Sequence, residues 1–160
     1  MIVIVEGPDG AGKTTLIDQL QQGSRDAIYH HFGAPANDEE AFNYYKKYAE
    51  AINNCRPEAL NIFDRSWYSD MVYGPVMRGR HEMTQEHADM LAAMVVANSG
   101  GMVIYCTAPV KNLWARCRAR GEEYVTEYEQ LKAIAERYAD VMKHCVRYLP
   151  VVRYDTAARW

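Results

Sequence analysis

This sequence predicts a three-layer α/β domain built on a central parallel sheet of five strands, and two observations predict it. Short apolar runs alternate with longer segments of helical period, the signature of β-α-β units wound into a sheet. No linker, repeat or low-complexity stretch divides residues 1–160, so the chain reads as one domain, long enough to bury a core without disulfide or metal staples.

The first strand is Ile2–Val5, an unbroken apolar run. A glycine-rich turn, EGPDGAGKTT over residues 6–15, leaves it and gives way to the amphipathic segment Thr14–Leu20. Ala27–His31, Leu60–Phe63, Met102–Cys106 and Val151–Tyr154 supply the other strands, each short and apolar enough to be covered on both faces. Thr84 opens a helix with Ala88, Leu91, Met94 and Val95 on one face, and Gly100-Gly101 ends it as a left-handed cap. Thr126 and Glu129 form a T-x-x-E capping box before a long helix whose Leu131, Ala135, Tyr138, Met142, Cys145 and Leu149 share a face up to Pro150.

Composition narrows the class of function. The four cysteines, at 55, 106, 117 and 145, show no C-x-x-C pair and no metal-ligand spacing, which suits a reduced compartment. With no signal-peptide pattern and no apolar run of membrane-spanning length, the expected location is the cytoplasm, or the host cytoplasm if the source is viral. A formal net charge of −3 gives no global attraction to nucleic acid. Basic residues do cluster locally, Arg78 with Arg80 and Arg116 with Arg118 and Arg120.

Gly7-Pro8-Asp9-Gly10-Ala11-Gly12-Lys13-Thr14 satisfies G-x-x-x-x-G-K-[ST] after a strand and before a helix, the context that makes the motif a phosphate cradle. Glycines let backbone N–H groups converge on phosphate oxygens, and the helix that follows turns its positive end to the same anion. Lys13 is placed for the β- and γ-phosphates of ATP, the Thr14 hydroxyl for Mg²⁺, with Thr15 beside it. The expected fold is therefore a P-loop kinase fold.

What is done with the nucleotide is a separate question. Neither an N-K-x-D guanine motif nor a D-x-x-G separate from the glycine-rich turn and following a strand is present, and 160 residues leave little room for a motor. The arginines of RCRARGEEY favour phosphotransfer, because charge set against the equatorial oxygens of the moving group is the main catalytic device and a flap excludes water. A solvated basic helix end is the alternative for them.

At this point the sequence resembles the thymidylate kinase family of P-loop kinases along nearly its whole length. The loop is similar to E-G-x-[DE]-G-x-G-K-[ST]-T; FDRSWYSDMVYG resembles D-R-[YH]-x-x-S-x-x-A-Y through Asp64, Arg65, Ser69 and Tyr73; VIYCTAPVKNLWARCRARGE resembles the strand, proline turn and lid that follow. The resemblance implies that Asp9 contacts the acceptor's sugar. It also points to Arg116 or Arg120 as the catalytic lid arginine, since Gly10 and Ala11 leave the loop without a basic residue.

Physically, Asp64 ends the third strand at the carboxyl edge, where such sheets bind ligands, and can serve Mg²⁺ or its water. Arg65 can hold an acceptor or transferring phosphate. Ser69 and Tyr73 lie four apart, on one face if helical; a helix cap for Asp64 or Ser69 and core packing for Tyr73 are the other readings. His30 and His31 point to opposite faces of a strand and do not share an ion. Phe32 stacks on a pyrimidine or belongs to the core.

The resemblance fails after the second strand, where YHHFGAPANDEE replaces an R-E-P-G-G-T-like segment and the span to Asp64 is short. A more open acceptor side is expected. Two acceptors follow, dTMP as a free nucleotide or 5-hydroxymethyluracil in DNA, of the bacteriophage DNA kinase kind. The shortened region favours DNA, with Arg78, Arg80 and Lys111 on its backbone, while the acidic total counts against it. A nucleotide-binding module without catalysis is the third reading, and a homo-oligomer stays open.

Overall fold

The computed structural model describes residues 1–81 and 83–157. Five parallel strands, β1 (Ile2–Glu6), β2 (Ala27–His31), β3 (Leu60–Asp64), β4 (Gly101–Thr107) and β5 (Val151–Asp155), lie in the order β2-β3-β1-β4-β5. The helices are α1 (Lys13–Gly23), α2 (Asp38–Asn53), α3 (Trp67–Tyr73), α4 (Gln85–Asn98), α5 (Val110–Arg120) and α6 (Tyr128–His144). A π-helical turn, Gly74–Arg78, continues α3.

Central β1 pairs with β3 and β4, placing Ile4 beside Phe63 and Val103, and every residue of β1 is buried. Complete burial of such a branched side chain contributes about 1.5–3 kcal/mol, so this strand anchors the domain. The chain steps one way from β1 to β2 and the other way at each later crossover. Right-handed connections therefore put α1 on one face and α2 to α6 on the other. Contacts on the crowded face agree, with Phe32 tilted on Phe63, Tyr105 stacked on Tyr138, and a Cβ at Gly101 meeting Val95 at 2.6 Å.

Local signals explain most boundaries. The Thr84 side chain accepts the His87 N–H at 3.2 Å and caps α4, and Gly100 closes that helix at φ 68°. Three expectations need correction. Strands β2 and β5 are sheet edges with exposed residues, Val152 at 46 %, rather than strands covered on both faces. The Thr126–Glu129 capping box does not form: Glu127 is the cap residue without a side-chain bond, and Gln130 accepts the Thr126 N–H at 3.3 Å. The long helix ends at His144, short of Pro150, and buried Leu149 belongs to the turn after it.

Candidate functional site

The glycine-rich turn wraps tightly because its neighbours leave no space for side chains. Gly7, at φ 146°, would press a Cβ into the Cys106 carbonyl, and a Cβ at Gly10 would lie 2.6 Å from the Leu113 carbonyl oxygen of α5. Pro8 accepts the Ala11 N–H at 3.2 Å, and Gly12, at φ 84°, caps α1. Lys13 Nζ donates to the carbonyls of Gly7 at 2.8 Å and Pro8 at 3.0 Å, bent back over the loop it belongs to. Burial, with the Arg65 charge adding to it, brings the Lys13 ammonium down to about 8. Thr14 and Thr15 stand exposed at the start of α1.

Arg65 links this loop to the rest of the site. Its Nη2 donates to Asp9 Oδ1 at 2.6 Å, and Tyr73 Oη donates to Asp9 Oδ2 at 2.8 Å. Burial alone would raise the Asp9 carboxyl, but the Arg65 and Lys13 charges and the Tyr73 hydroxyl outweigh it and hold the carboxyl below its usual range. The Arg65 guanidinium also lies 5.0 Å from the centre of the Tyr73 ring. Arg65 is the one non-glycine residue with positive φ, 69°, among the described residues, a strained backbone next to the glycine-rich loop.

Beside the loop, a cavity is lined by Asp9, His31, Phe32, Tyr48, Arg65, Ser69, Asp70, Tyr73, Arg78 and Tyr124, with Gly33 and Ala34. Phe32 is both core and wall: it is 4 % exposed and packs between Tyr48 and Phe63. Tyr48 Oη donates to Asp70 Oδ2 at 2.8 Å, and Arg78 pairs with Asp70 Oδ1 at 3.8 Å. The π-helical turn, with Pro75 lacking an N–H, brings Arg78 to that carboxylate. Tyr48 of α2 walls one side of the cavity, and the loop before α6 contributes Tyr124.

Asp64 sits where expected, at the end of β3, and its Oδ2 accepts from Tyr29 Oη at 2.7 Å and from His31 Nδ1 at 3.0 Å. Thr14 and Asp64 offer hard oxygen donors of the kind Mg²⁺ takes alongside phosphate oxygens and water. Among the described residues no group of three or more His, Cys, Asp or Glu could hold a metal by itself. His30 and His31 part to opposite faces, His30 against Phe63 and His31 out toward Asp64.

The lid arginines separate. Arg116 donates to Gly10 O at 3.0 Å, Thr156 Oγ1 at 2.9 Å and Thr156 O at 3.0 Å, riveting α5 and the chain end to the loop. Arg118 closes the turn after α5 through Glu122 O and Val125 O, both at 2.8 Å, and covers the Trp114 ring. Arg120 is exposed at the end of the helix. The three therefore differ in setting, where the sequence presented them as one flap.

Sequence reasoning missed Glu6, Tyr48 and Asp70, and placed Tyr138 only in the core. Glu6 is fully buried and accepts bonds from Ser66, Ser69 and Tyr138. An acidic residue ending a wholly apolar strand was the available signal. Among the described residues no helix is long and apolar enough to cross a membrane.

Comparison with solved structures finds this fold elsewhere. The YorR protein of Bacillus subtilis, solved with phosphorylated GDP, superposes at TM-score 0.76 with 25 % identity, over 100 % of this chain and 88 % of that one. Deoxyadenosine kinase from M. mycoides with bound dATP superposes at 0.61 with 19 % identity, over 97 % and 91 %, and shares the fold. The same enzyme with dCTP gives 0.62, 21 %, 97 % and 90 %. A search of curated proteins found no match. The resemblance to thymidylate kinases thus carries over at the level of P-loop nucleotide kinases. The chain belongs to the polyphosphate kinase 2 (PPK2) family, whose model matches residues 1–105, and is a nucleotide phosphotransferase of the kinase type.

Proposed function

We propose that this protein transfers the terminal phosphoryl group of ATP, held with Mg²⁺ on the loop Gly7–Thr14, to a deoxynucleotide whose base occupies the cavity between Phe32 and Tyr73. One observation carries the reading: Arg65 bonds to Asp9 of the loop and lines the cavity, so a single guanidinium faces both donor and acceptor. An acceptor oxygen attacks the γ-phosphorus, the bond to the bridging oxygen breaks, and ADP leaves. Lys13, the loop N–H groups and Arg65 stand against the charge on the moving group. Thr14 and Asp64 would hold Mg²⁺, which would supply further charge neutralisation. Arg120, exposed at the tip of α5, is the lid cation with freedom to enter, while Arg116 orders the loop.

A free nucleotide is better supported than a base in DNA. Arg80, which would follow a DNA backbone, pairs with Asp38 at 2.7 Å, and Arg78 pairs with Asp70 inside the cavity. The base edge would meet a carboxylate that accepts and a guanidinium that donates. A thymine ring satisfies this pair through N3–H and O4, and a guanine through N1–H, its amino group and O6. The phosphorylated GDP in the YorR structure makes guanine a necessary competitor. Family membership adds a second donor, polyphosphate, on the strength of the family's name.

The test is transfer from γ-labelled ATP and from labelled polyphosphate, with Mg²⁺, to dTMP, dGMP, dCMP, dAMP and duplex DNA containing 5-hydroxymethyluracil. Label on one free nucleotide is the expected result. Label on DNA with the monophosphates inert would overturn the acceptor assignment, and no transfer from either donor would overturn the reaction.

A further inference from the structure

Glu6 ends β1 on the helix-covered face with 0 % exposure, a place where an unpartnered carboxylate is strongly disfavoured. Four donors surround it. Oε1 accepts from Ser66 Oγ at 2.7 Å and from the Ser69 N–H at 3.2 Å; Oε2 accepts from Ser69 Oγ at 2.7 Å and from Tyr138 Oη at 3.0 Å. Because the one Tyr138 proton points at Glu6, its oxygen is left as an acceptor, and Arg65 Nη1 donates to it at 3.2 Å.

The same carboxylate brackets the strained residue. Arg65 at φ 69° sits in the left-handed region that a residue with a Cβ rarely adopts, so its neighbours must hold it. Its own N–H is bonded to the Val5 carbonyl at 3.0 Å, and the next residue, Ser66, is bonded to Glu6. Consecutive residues of β1 thus fix the backbone on each side of the Arg65 α-carbon. Nothing in the phosphoryl-transfer scheme above uses Glu6 directly, yet the side chains it gathers come from α3 and α6, the two elements that flank the guanidinium.

We propose that Glu6 is a positioning residue for Arg65: through Ser66 and Ser69 it holds the left-handed backbone, and through Tyr138 it sets the plane of the guanidinium. The inference rests on the phosphotransfer reading, in which Arg65 meets the phosphates. Only an ionised carboxylate accepts from all four donors at once. A glutamine of the same size turns its amide N–H groups toward two of the four donors and breaks the set.

Glu6→Gln, Tyr138→Phe, Arg65→Ala and the two doubles with Arg65→Ala are compared with the wild type. Kinetics use whichever monophosphate the wild type phosphorylates, and the Arg65 side-chain N–H resonance is followed by ¹⁵N NMR, assigned with Arg65→Lys. Glu6→Gln is expected to lower kcat by roughly 100-fold with ATP affinity unchanged, as small misplacements of a catalytic group do. The Glu6→Gln/Arg65→Ala double is expected to be no slower than Arg65→Ala alone, and the Arg65 resonance should move or broaden in Glu6→Gln and Tyr138→Phe.

Losses that multiply in the doubles, or an Arg65 resonance unmoved in both variants, would overturn the role. If Glu6→Gln fails to fold, Tyr138→Phe and its double decide by the same criteria. A wild type inactive on every acceptor would sink the kinase reading instead, and the resonance would still report whether Glu6 and Tyr138 orient Arg65.

Discussion

Raising the pH is expected to loosen nucleotide binding through one amine. Lys13 in the free protein titrates at about 8, where an ordinary lysine titrates at 10.5, because burial and the neighbouring Arg65 charge both disfavour its ammonium against the opposing pull of Asp9 and Asp64. The ammonium is the form that holds phosphate, and phosphate oxygens restore its proton. Binding above about pH 8 therefore takes up a proton, and affinity falls about tenfold per pH unit until the neutral amine's own affinity sets a floor. At about pH 9 roughly a tenth of the free protein carries the charge. Folding runs with the opposite sign: the depressed value means that Lys13 adds stability as pH rises from about 8 toward 10.5, stability lost again as pH falls through about 8. Burial pushes the Cys106 thiol up to about 12 and the Tyr73 hydroxyl higher still, so neither confuses this window. Calorimetric titration with Mg·ATP, in paired buffers of different ionisation heat, measures affinity and proton uptake together. Flat affinity with no uptake between about pH 7 and pH 10 would refute the assignment of Lys13 as a poised, desolvated phosphate ligand.

Gly7→Ala forces a Cβ into the Cys106 carbonyl at φ 146°, and should cost about 3 kcal/mol or more, read as a lowered denaturant midpoint with unchanged slope. Arg116→Ala removes three bonds to Gly10 and Thr156 and should destabilise by about 2 kcal/mol, whereas exposed Arg120→Ala should leave the melting temperature alone and lower kcat. Loss of turnover in Arg116→Ala at full stability, with Arg120→Ala normal, would exchange their roles. Asp70→Asn keeps the shape of the cavity but replaces an acceptor with a mixed group, so KM for the preferred acceptor should rise about tenfold while KM for ATP holds. An unchanged ranking across the four monophosphates would remove Asp70 from base reading.

What the sequence disclosed and what it withheld divide along contact distance in the chain. The five strands and the phosphate loop were legible because their signals are local: an apolar run, a glycine turn, a Lys-Thr at a helix start. The capping box misled because Thr126-x-x-Glu129 satisfies a pattern that one residue of register shift makes useless, and Glu127 took the cap position. The lid arginines looked alike because RCRAR places alternate residues in different rotations of a helix, and only the fold shows that Arg116 turns to Thr156, a residue beyond two further elements. The cavity was hardest, since Tyr48, Asp70 and Arg78 come from three elements, and Tyr48 and Asp70 carry no signature apart from their meeting. Arg65 shows the limit most sharply. Its identity could be matched from a motif, but its positive φ and its dependence on Val5, Glu6 and Tyr138 arise where β1, the end of β3 and α6 converge. A guanidinium held by Asp9 of the loop, Tyr138 of α6 and the Tyr73 ring of α3 is fixed in direction before any ligand arrives. That is what electrostatic stabilisation of a moving phosphoryl group requires, because a side chain that had to reorganise would give back much of the energy it contributes.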